Sequence, residues 1–278
     1  MGNIVWLASY PKSGNTWVRA FLANLIANRQ APVSLAELPN YGRLEADPEL
    51  YSQVAGRSSI ELDFDQLFAL RPRVHAAIAA AALKTVFVKT HSMAGVHDGV
   101  PLLTPQFSAG AICVVRNPLD VAISMAHHFA IGLDEAIDYL GDERAATENN
   151  ILFVTEFLSS WSQHVRSWAD MESSRIIVLR YEDLLDKPMK GFGKVARFVG
   201  LDADRDRVER AIKHASFQSL ASMEKREGFV EVPIKGKQFF RSGRANQWRD
   251  VLTREQVQRV ITQHREQMRR FRYVPAGY

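Results

Sequence analysis

The sequence predicts an α/β fold in a single domain, with a central parallel β-sheet flanked by helices and a P-loop-like phosphate-binding loop after the first strand. Three observations carry that expectation. Short apolar runs at residues 4–8, 86–88, 111–115 and 176–179 are rich in β-branched residues and nearly continuous, as strands buried on both faces are. They alternate with stretches of helical spacing, which favours a parallel sheet covered by helices. No internal repeat, low-complexity tract or Gly/Ser linker divides the chain, so residues 1–278 read as one domain.

The elements follow in order. After the first run, Val18, Phe21, Leu22, Leu25 and Ile26 recur at helical spacing and form one apolar stripe. After the third run, Pro118 suits a first helical position and residues 119–129 read as helix. Residues 149–171 form another helical pattern, carrying Leu152, Phe153, Phe157, Trp161 and Trp168. The Arg-rich stretch 253–271 is helical, and Thr253 followed by Gln256 resembles a capping box. Residues 31–73, 92–108 and 228–246 read as irregular. Loops at strand ends of such sheets build ligand sites, so the function is expected there.

Composition narrows the class of protein. Hydrophobic residues make up 46% of the chain, enough for a sizeable core, and 35 basic against 31 acidic residues leave a net charge of +4. So small an excess suits anions in general and is no nucleic-acid signature by itself. The only cysteine, Cys113, allows no intrachain disulfide, agrees with a reducing compartment and reads as core filler. The first nine residues are too short and too soon interrupted for a signal peptide, and no apolar run approaches the roughly 20 residues of a membrane span. A cytoplasmic protein is expected.

The most informative stretch is Ser9-Tyr10-Pro11-Lys12-Ser13-Gly14-Asn15-Thr16-Trp17, between the first strand and the first helix. A strand, a tight loop and a helix start aim backbone N–H groups at one spot, which binds phosphate. Gly14 admits close approach, Ser13, Asn15 and Thr16 add hydrogen-bonding groups, and Lys12 supplies a movable charge. An ordinary β-turn-α connection is the plain alternative. The usual nucleotide P-loop places its lysine after the second glycine; here Lys12 precedes Gly14 and no Gly-Lys-Ser/Thr occurs, which disfavours a kinase. Downstream, Arg116 leaves the third strand and Ser124 follows on the next helix, a guanidinium and a hydroxyl able to hold a second phosphate. Between them lies Val88-Lys89-Thr90-His91 at the end of the second strand.

Residues 10–17 closely resemble the 5′-phosphosulfate-binding loop of sulfotransferases that use 3′-phosphoadenosine 5′-phosphosulfate (PAPS). Arg116 and Ser124 resemble the same family's 3′-phosphate motif, in the same order and spacing. The resemblance makes His91 the general base that takes the acceptor's hydroxyl proton, a role suited to an imidazole with an ordinary pKa of about 6.5. It makes Lys12 the group that stabilises the leaving phosphate oxygen, Lys89 a helper, and Ser124 a partner that restrains Lys12. Tyr181, in Arg180-Tyr181-Glu182-Asp183-Leu184, corresponds to a tyrosine that contacts adenine, and Trp17 and Phe217 to the aromatic pair that sandwiches it. Arg241-Ser242-Gly243 resembles the loop that closes over the 3′-phosphate, with Ser242 where lysine is common and Ala215 where threonine is often seen. Arg241 and Arg244 then carry the charge there.

The resemblance runs from the first strand to Trp248 and implies PAPS as donor, PAP as product and no metal. His127 and His128 read as ordinary helix residues facing different sides. Residues 40–73, 93–107, 129–150 and 228–238 are expected to wall the acceptor pocket. Met93, Phe129 and Phe229 suit an apolar acceptor, while saccharides stay open. The chain's brevity and first motif resemble bacterial soluble sulfotransferases that act on natural products or glycans. Two alternatives stand beside this reading: a P-loop-type nucleotide kinase, and a non-catalytic nucleic-acid-binding module on the basic C-terminal helix. That helix carries Arg254, Arg259, Arg265, Arg269, Arg270 and Arg272, but Glu255 and Glu266 interrupt it.

Overall fold

A computed structural model describes residues 2–171, 173, 175–201, 203–231 and 238–278. In chain order the elements are β1 (Ile4–Ser9), α1 (Asn15–Ala27), β2 (Arg43–Leu44), α2 (Pro48–Ala55), α3 (Phe64–Ala80), β3 (Val86–Thr90), β4 (Val96–His97), β5 (Val100–Pro101), β6 (Ser108–Val115) and α4 (Pro118–Phe129). There follow α5 (Leu133–Gly141), α6 (Trp161–Ala169), β7 (Ile176–Arg180), α7 (Tyr181–Asp186), α8 (Pro188–Phe198), α9 (Arg205–His214), α10 (Phe217–Glu227), α11 (Trp248–Val251) and α12 (Arg254–Arg270). Contacts sort them into two compact units whose segments interleave along the chain: residues 1–10, 42–113 and 142–178 form the first, and 11–41, 114–141 and 179–278 the second.

The sheet has the order β2-β3-β1-β6-β7. β3 pairs parallel with β1, Ile4 opposite Val86 and Ala8 opposite Thr90, and parallel with β2, Arg43 opposite Val88. β1 sits in the middle, and all six of its residues are buried. β7 lies at the edge and is buried only at alternate residues, so its continuous apolar run does not mean two covered faces. Cys113 is buried in β6, where burial pushes its thiol pKa up, in keeping with core filler.

In the second unit, α1 buries Val18, Phe21, Leu22 and Leu25, whereas Ile26 is exposed. Pro118 opens α4, capped by Asn117, and the Thr253/Gln256 capping box opens α12. On α12, Arg259 pairs with both Asp134 and Asp138 of α5, at 2.6 and 2.5 Å. Part of its basic face is thereby neutralised.

Two expectations fail in the first unit. Residues 31–73 are not irregular throughout, since they contain α2 and the start of α3. α3 is easily missed because it carries Pro72 inside and buries Arg71 and His75, which spoils the apolar period. Its signal was a capping box, Asp63 with Gln66. The second failure is the long helix over 149–171, of which only α6 forms. Asn149 donates to the Ser59 carbonyl at 2.9 Å, and Asn150 Oδ1 takes the N–H groups of Leu152 and Phe153. These local bonds turn the backbone away from helix, and Ser160 caps α6 only where they end. In the stretch 92–108, β4 and β5 form a small antiparallel ribbon.

Candidate active site

The turn after β1 owes its shape to two left-handed residues, Lys12 (φ 64°) and Gly14 (φ 106°). Gly14 stands at the N-cap of α1 and makes no side-chain cap bond. A helix start left uncapped offers its N–H groups and partial positive charge to an anion. A Cβ at Gly14 would lie 2.8 Å from the Tyr181 ring, so the close approach needs glycine. Ser13 is fully buried, and its Oγ has no partner among the described residues. Leaving such a hydroxyl unpaired costs about 1–3 kcal/mol, which an anion's oxygen would relieve. Asn15 and Thr16 are buried beside it, and Thr16 Oγ1 lies 3.5 Å from the Glu231 carboxylate.

Lys12 Nζ lies 3.1 Å from His128 Nδ1 and 4.0 Å from the centre of the Phe239 ring. An ammonium only donates, so His128 accepts at Nδ1. His128 is therefore no ordinary helix residue, which corrects the sequence expectation; His127 beside it is exposed. The available signal was spacing, since His128 stands four residues after Ser124 on α4 and shares its face.

Arg116 ties this turn to the later loop. Its Nη1 donates to the Lys12 carbonyl at 2.9 Å and its Nη2 to the Arg244 carbonyl at 3.3 Å. The guanidinium lies 4.5 Å from the centre of the Tyr181 ring, and its buried Nε has no partner among the described residues. Arg241 donates to Gln247 at 2.7 Å. Burial first, then the charges of Arg116 and Arg244, lower the Arg241 pKa. A guanidinium placed where two others disfavour its charge marks a place suited to an anion.

The loop bearing them is pinned by two acids that the sequence did not reveal. Glu224 accepts the N–H groups of Phe239 and Phe240, and buried Asp120 accepts those of Asn246 (2.7 Å) and Trp248 (3.1 Å). Ser242, in place of lysine, accepts from Arg244 Nε at 3.2 Å. Gly243 (φ 60°) is seated on Phe217, where a Cβ would come within 2.4 Å of the ring. Tyr181 is buried and meets half-buried Trp17 edge-on at 5.5 Å. Phe217 opens α10, also half-buried. Around Lys12, His128, Phe129, Phe229 and Phe239 form one aromatic cluster with ring spacings of 4.9–5.9 Å.

In the first unit, β3 ends in Lys89, Thr90 and then His91. His91 Nδ1 lies 2.7 Å from the Ser9 carbonyl, which can only accept, so the proton sits on Nδ1 and the lone pair on Nε2. That is the tautomer a base requires. The His91 carbonyl accepts from His164 Nε2 at 3.0 Å, and burial lowers the His164 pKa to about 4, which keeps it neutral. Trp168 Nε1 donates to the Ser92 carbonyl (3.2 Å), and buried Arg71 bridges Ser92 Oγ (3.1 Å) and Glu45 (2.8 Å). Lys89 Nζ stands 5.5 Å from the centre of the Phe153 ring.

An α/β chain whose first strand runs into an uncapped helix start, with arginines gathered in the same unit as that helix, is built to bind anions. This chain belongs to the sulfotransferase family: the profile of the sulfotransferase domain matches residues 3–272. It is 26% identical to cytosolic sulfotransferase 12 of Arabidopsis thaliana, over 92% of this chain and 75% of that one. It is 25% identical to flavonol 3-sulfotransferase of Flaveria bidentis, over 93% and 79%. Among solved structures, a mouse sulfotransferase complexed with PAP matches with a TM-score of 0.62 and 22% identity, covering 96% of this chain and 84% of that one. Retinol dehydratase in a complex with retinol and PAP matches at 0.65 and 20%, covering 96% and 82%. These two likenesses establish the fold, α/β around a parallel sheet. The chain is a sulfotransferase, and the kinase and nucleic-acid readings have no support.

Proposed function

We propose that this sulfotransferase moves the sulfuryl group of PAPS to a hydroxyl of an apolar small-molecule acceptor and releases PAP. The observation that carries the nucleotide is the charge pattern of the second unit: an uncapped helix start with a buried Ser13 hydroxyl that has no partner among the described residues, and a separate gathering of Arg116, Arg241 and Arg244. Two anion sites suit a 3′,5′-bisphosphorylated nucleotide and leave one unused with ADP. In this reading Ser13, Gly14, Asn15 and Thr16 hold the 5′ side. Arg116, Ser124, Arg241, Ser242 and Gly243 hold the 3′-phosphate, and Trp17, Tyr181 and Phe217 hold the adenine.

PAPS supplies an activated sulfuryl group, and the protein's part is positioning and charge. His91 Nε2 takes the acceptor's hydroxyl proton as the new O–S bond forms. Lys12 stabilises the phosphate oxygen that keeps the electrons of the broken bond, and Lys89 neutralises charge on the sulfuryl oxygens. Ser124 and His128, one turn apart, restrain Lys12 between turnovers. The aromatic cluster around Lys12 favours an apolar acceptor, a natural product rather than a glycan, as the flavonol and retinol named for relatives also suggest. We read residues 1–278 as one catalytic domain, since the two units interleave and the family profile spans 3–272. A cytoplasmic location accords with the relative named cytosolic, and among the described residues no helix is long and apolar enough to cross a membrane.

A thermal-shift comparison of PAP, ADP and AMP at equal concentration tests the nucleotide assignment. A ligand bound only by the folded state at 100 times its Kd stabilises by about 2.7 kcal/mol, which is readily seen. PAP is expected to shift the transition well beyond ADP or AMP. Equal shifts for PAP and ADP would contradict the two-anion site.

A further inference from the structure

Glu156 has no role in the reaction as described, yet it holds the backbone of the proposed base. Its side chain is buried, and one oxygen, Oε1, accepts both the backbone N–H of His91 (2.5 Å) and the hydroxyl of Thr90 (3.4 Å). The segment carrying it is itself fixed: the Glu156 N–H donates to Thr147 Oγ1 at 2.8 Å, and the Phe157 carbonyl accepts from the Met93 N–H at 2.9 Å. The non-helical stretch before α6 thus delivers a carboxylate to the end of β3.

The groups facing this carboxylate come from several elements: Glu45 just after β2, Tyr51 of α2, Arg71 of α3, and Lys89 and the His91 amide at the end of β3. Burial, and next the charge of Glu45, raise the Glu156 pKa to about 7, against Lys89, the His91 N–H and Arg71. Burial also opposes ionisation of Glu45, but the Arg71 charge, the nearby His75 ring and the Tyr51 hydrogen bond outweigh it and hold Glu45 below the usual range. Of two buried acids in one network, one stays ionised and the other changes charge near neutrality. A residue that only filled space would not be ionisable, since burying a carboxyl is costly.

We propose that Glu156 is a positioning residue of the sulfuryl-transfer centre: ionised, it fixes the His91 backbone and draws Lys89 into place, and protonated, it loosens both. The inference rests on His91 being the base.

Glu156→Gln tests it, because glutamine keeps the size and an acceptor for the His91 N–H while removing the charge. The first readout is the imidazole 15N titration of His91, identified among the eight histidines by the signal lost in His91→Ala. The wild type should show a second inflection near pH 7. Glu156→Gln should lose it, with the His91 midpoint lower by about half a pH unit because a nearby anion favours the imidazolium. The second readout is stability against pH. The native pKa of Glu156 is raised above its ordinary 4.5, so the wild type loses stability as pH rises from there to about 7. The melting temperature of Glu156→Gln relative to wild type should therefore climb over that window. Turnover should fall about tenfold with KM for PAPS and the PAP thermal shift unchanged.

Identical His91 titrations in wild type and Glu156→Gln would overturn the proposal, as would unchanged turnover. If His91→Ala stays fully active, the base assignment fails, and the titration still judges the contact between Glu156 and His91 by itself. Glu156→Ala, which removes acceptor and charge together, should lose more turnover than Glu156→Gln; equal loss would leave the hydrogen bond without a part.

Discussion

The proposed phosphate cradle of the second unit and the end of β3 in the first are built on opposite electrostatic plans. The cradle gathers donors and positive charge: Ser13 Oγ and Arg116 Nε are buried without described partners, and burial, then the charges of Arg116 and Arg244, lower the Arg241 pKa. The end of β3 is held by acceptors: Glu156 takes the His91 N–H, the Ser9 carbonyl fixes its ring, and Glu45 answers Arg71. A site that awaits a polyanion keeps its interactions incomplete. A residue that must present one lone pair in one direction has its backbone and its other ring nitrogen held, as His91 has. The groups that only hold the anion should therefore respond mainly in affinity, and the strand end, together with Lys12 at the leaving oxygen, in rate.

The largest effect that would sharpen this contrast is in Lys12→Ala. Removing a charge aimed at a leaving oxygen should lower turnover about 1,000-fold, while KM for PAPS changes much less. A mere fall in affinity would place Lys12 in binding alone. Next, Arg116→Ala should weaken PAP binding about 10- to 100-fold by calorimetry, as expected for a lost charge-assisted contact of about 1.5–3 kcal/mol. The weakening should shrink for AMP, which lacks the 3′-phosphate, and equal losses for both would break the assignment. Gly243→Ala should cost about 1–2 kcal/mol of stability, because φ 60° and the 2.4 Å approach to Phe217 both resist a Cβ. PAP should restore less of the melting temperature than in wild type.

A further effect lies in pH dependence. His164 has its native pKa lowered by burial to about 4, so its contribution is complete above an unfolded value near 6.5 and is lost as pH falls toward 4. A shift of that size corresponds to on the order of 3 kcal/mol. His164→Gln should flatten the acid limb of the stability curve, and an unchanged limb would show that His164 does not titrate there.

The same contrast explains what the sequence disclosed. The cradle is nearly all local: Ser9 to Trp17 are contiguous, Arg116 and Ser124 lie within one turn and helix, and Arg241 to Gly243 are adjacent. Such a site can be read by spacing. The support of His91 comes from Ser9, Glu156 and His164, which stand 82, 65 and 73 residues away. No spacing rule reaches that far. Glu156 was further concealed because apolar residues around it imitate a helical period, while Asn149 and Asn150 turn the backbone out of helix. His128 was missed for a different reason: its partner Lys12 lies across the fold of the second unit, although its position four residues from Ser124 was visible. The four main strands, α1, α4 and α12 were legible, whereas α3 was disguised by its buried Arg71, His75 and internal Pro72.

The division of labour is tested most directly by His91→Ala, measured for PAP affinity by calorimetry and for turnover with PAPS on one apolar phenolic acceptor that the wild type sulfates. PAP should bind as in the wild type, and turnover should fall by about 100- to 10,000-fold, the range for a lost general base. Wild-type turnover, or a loss of PAP affinity comparable to that of Arg116→Ala, would contradict it.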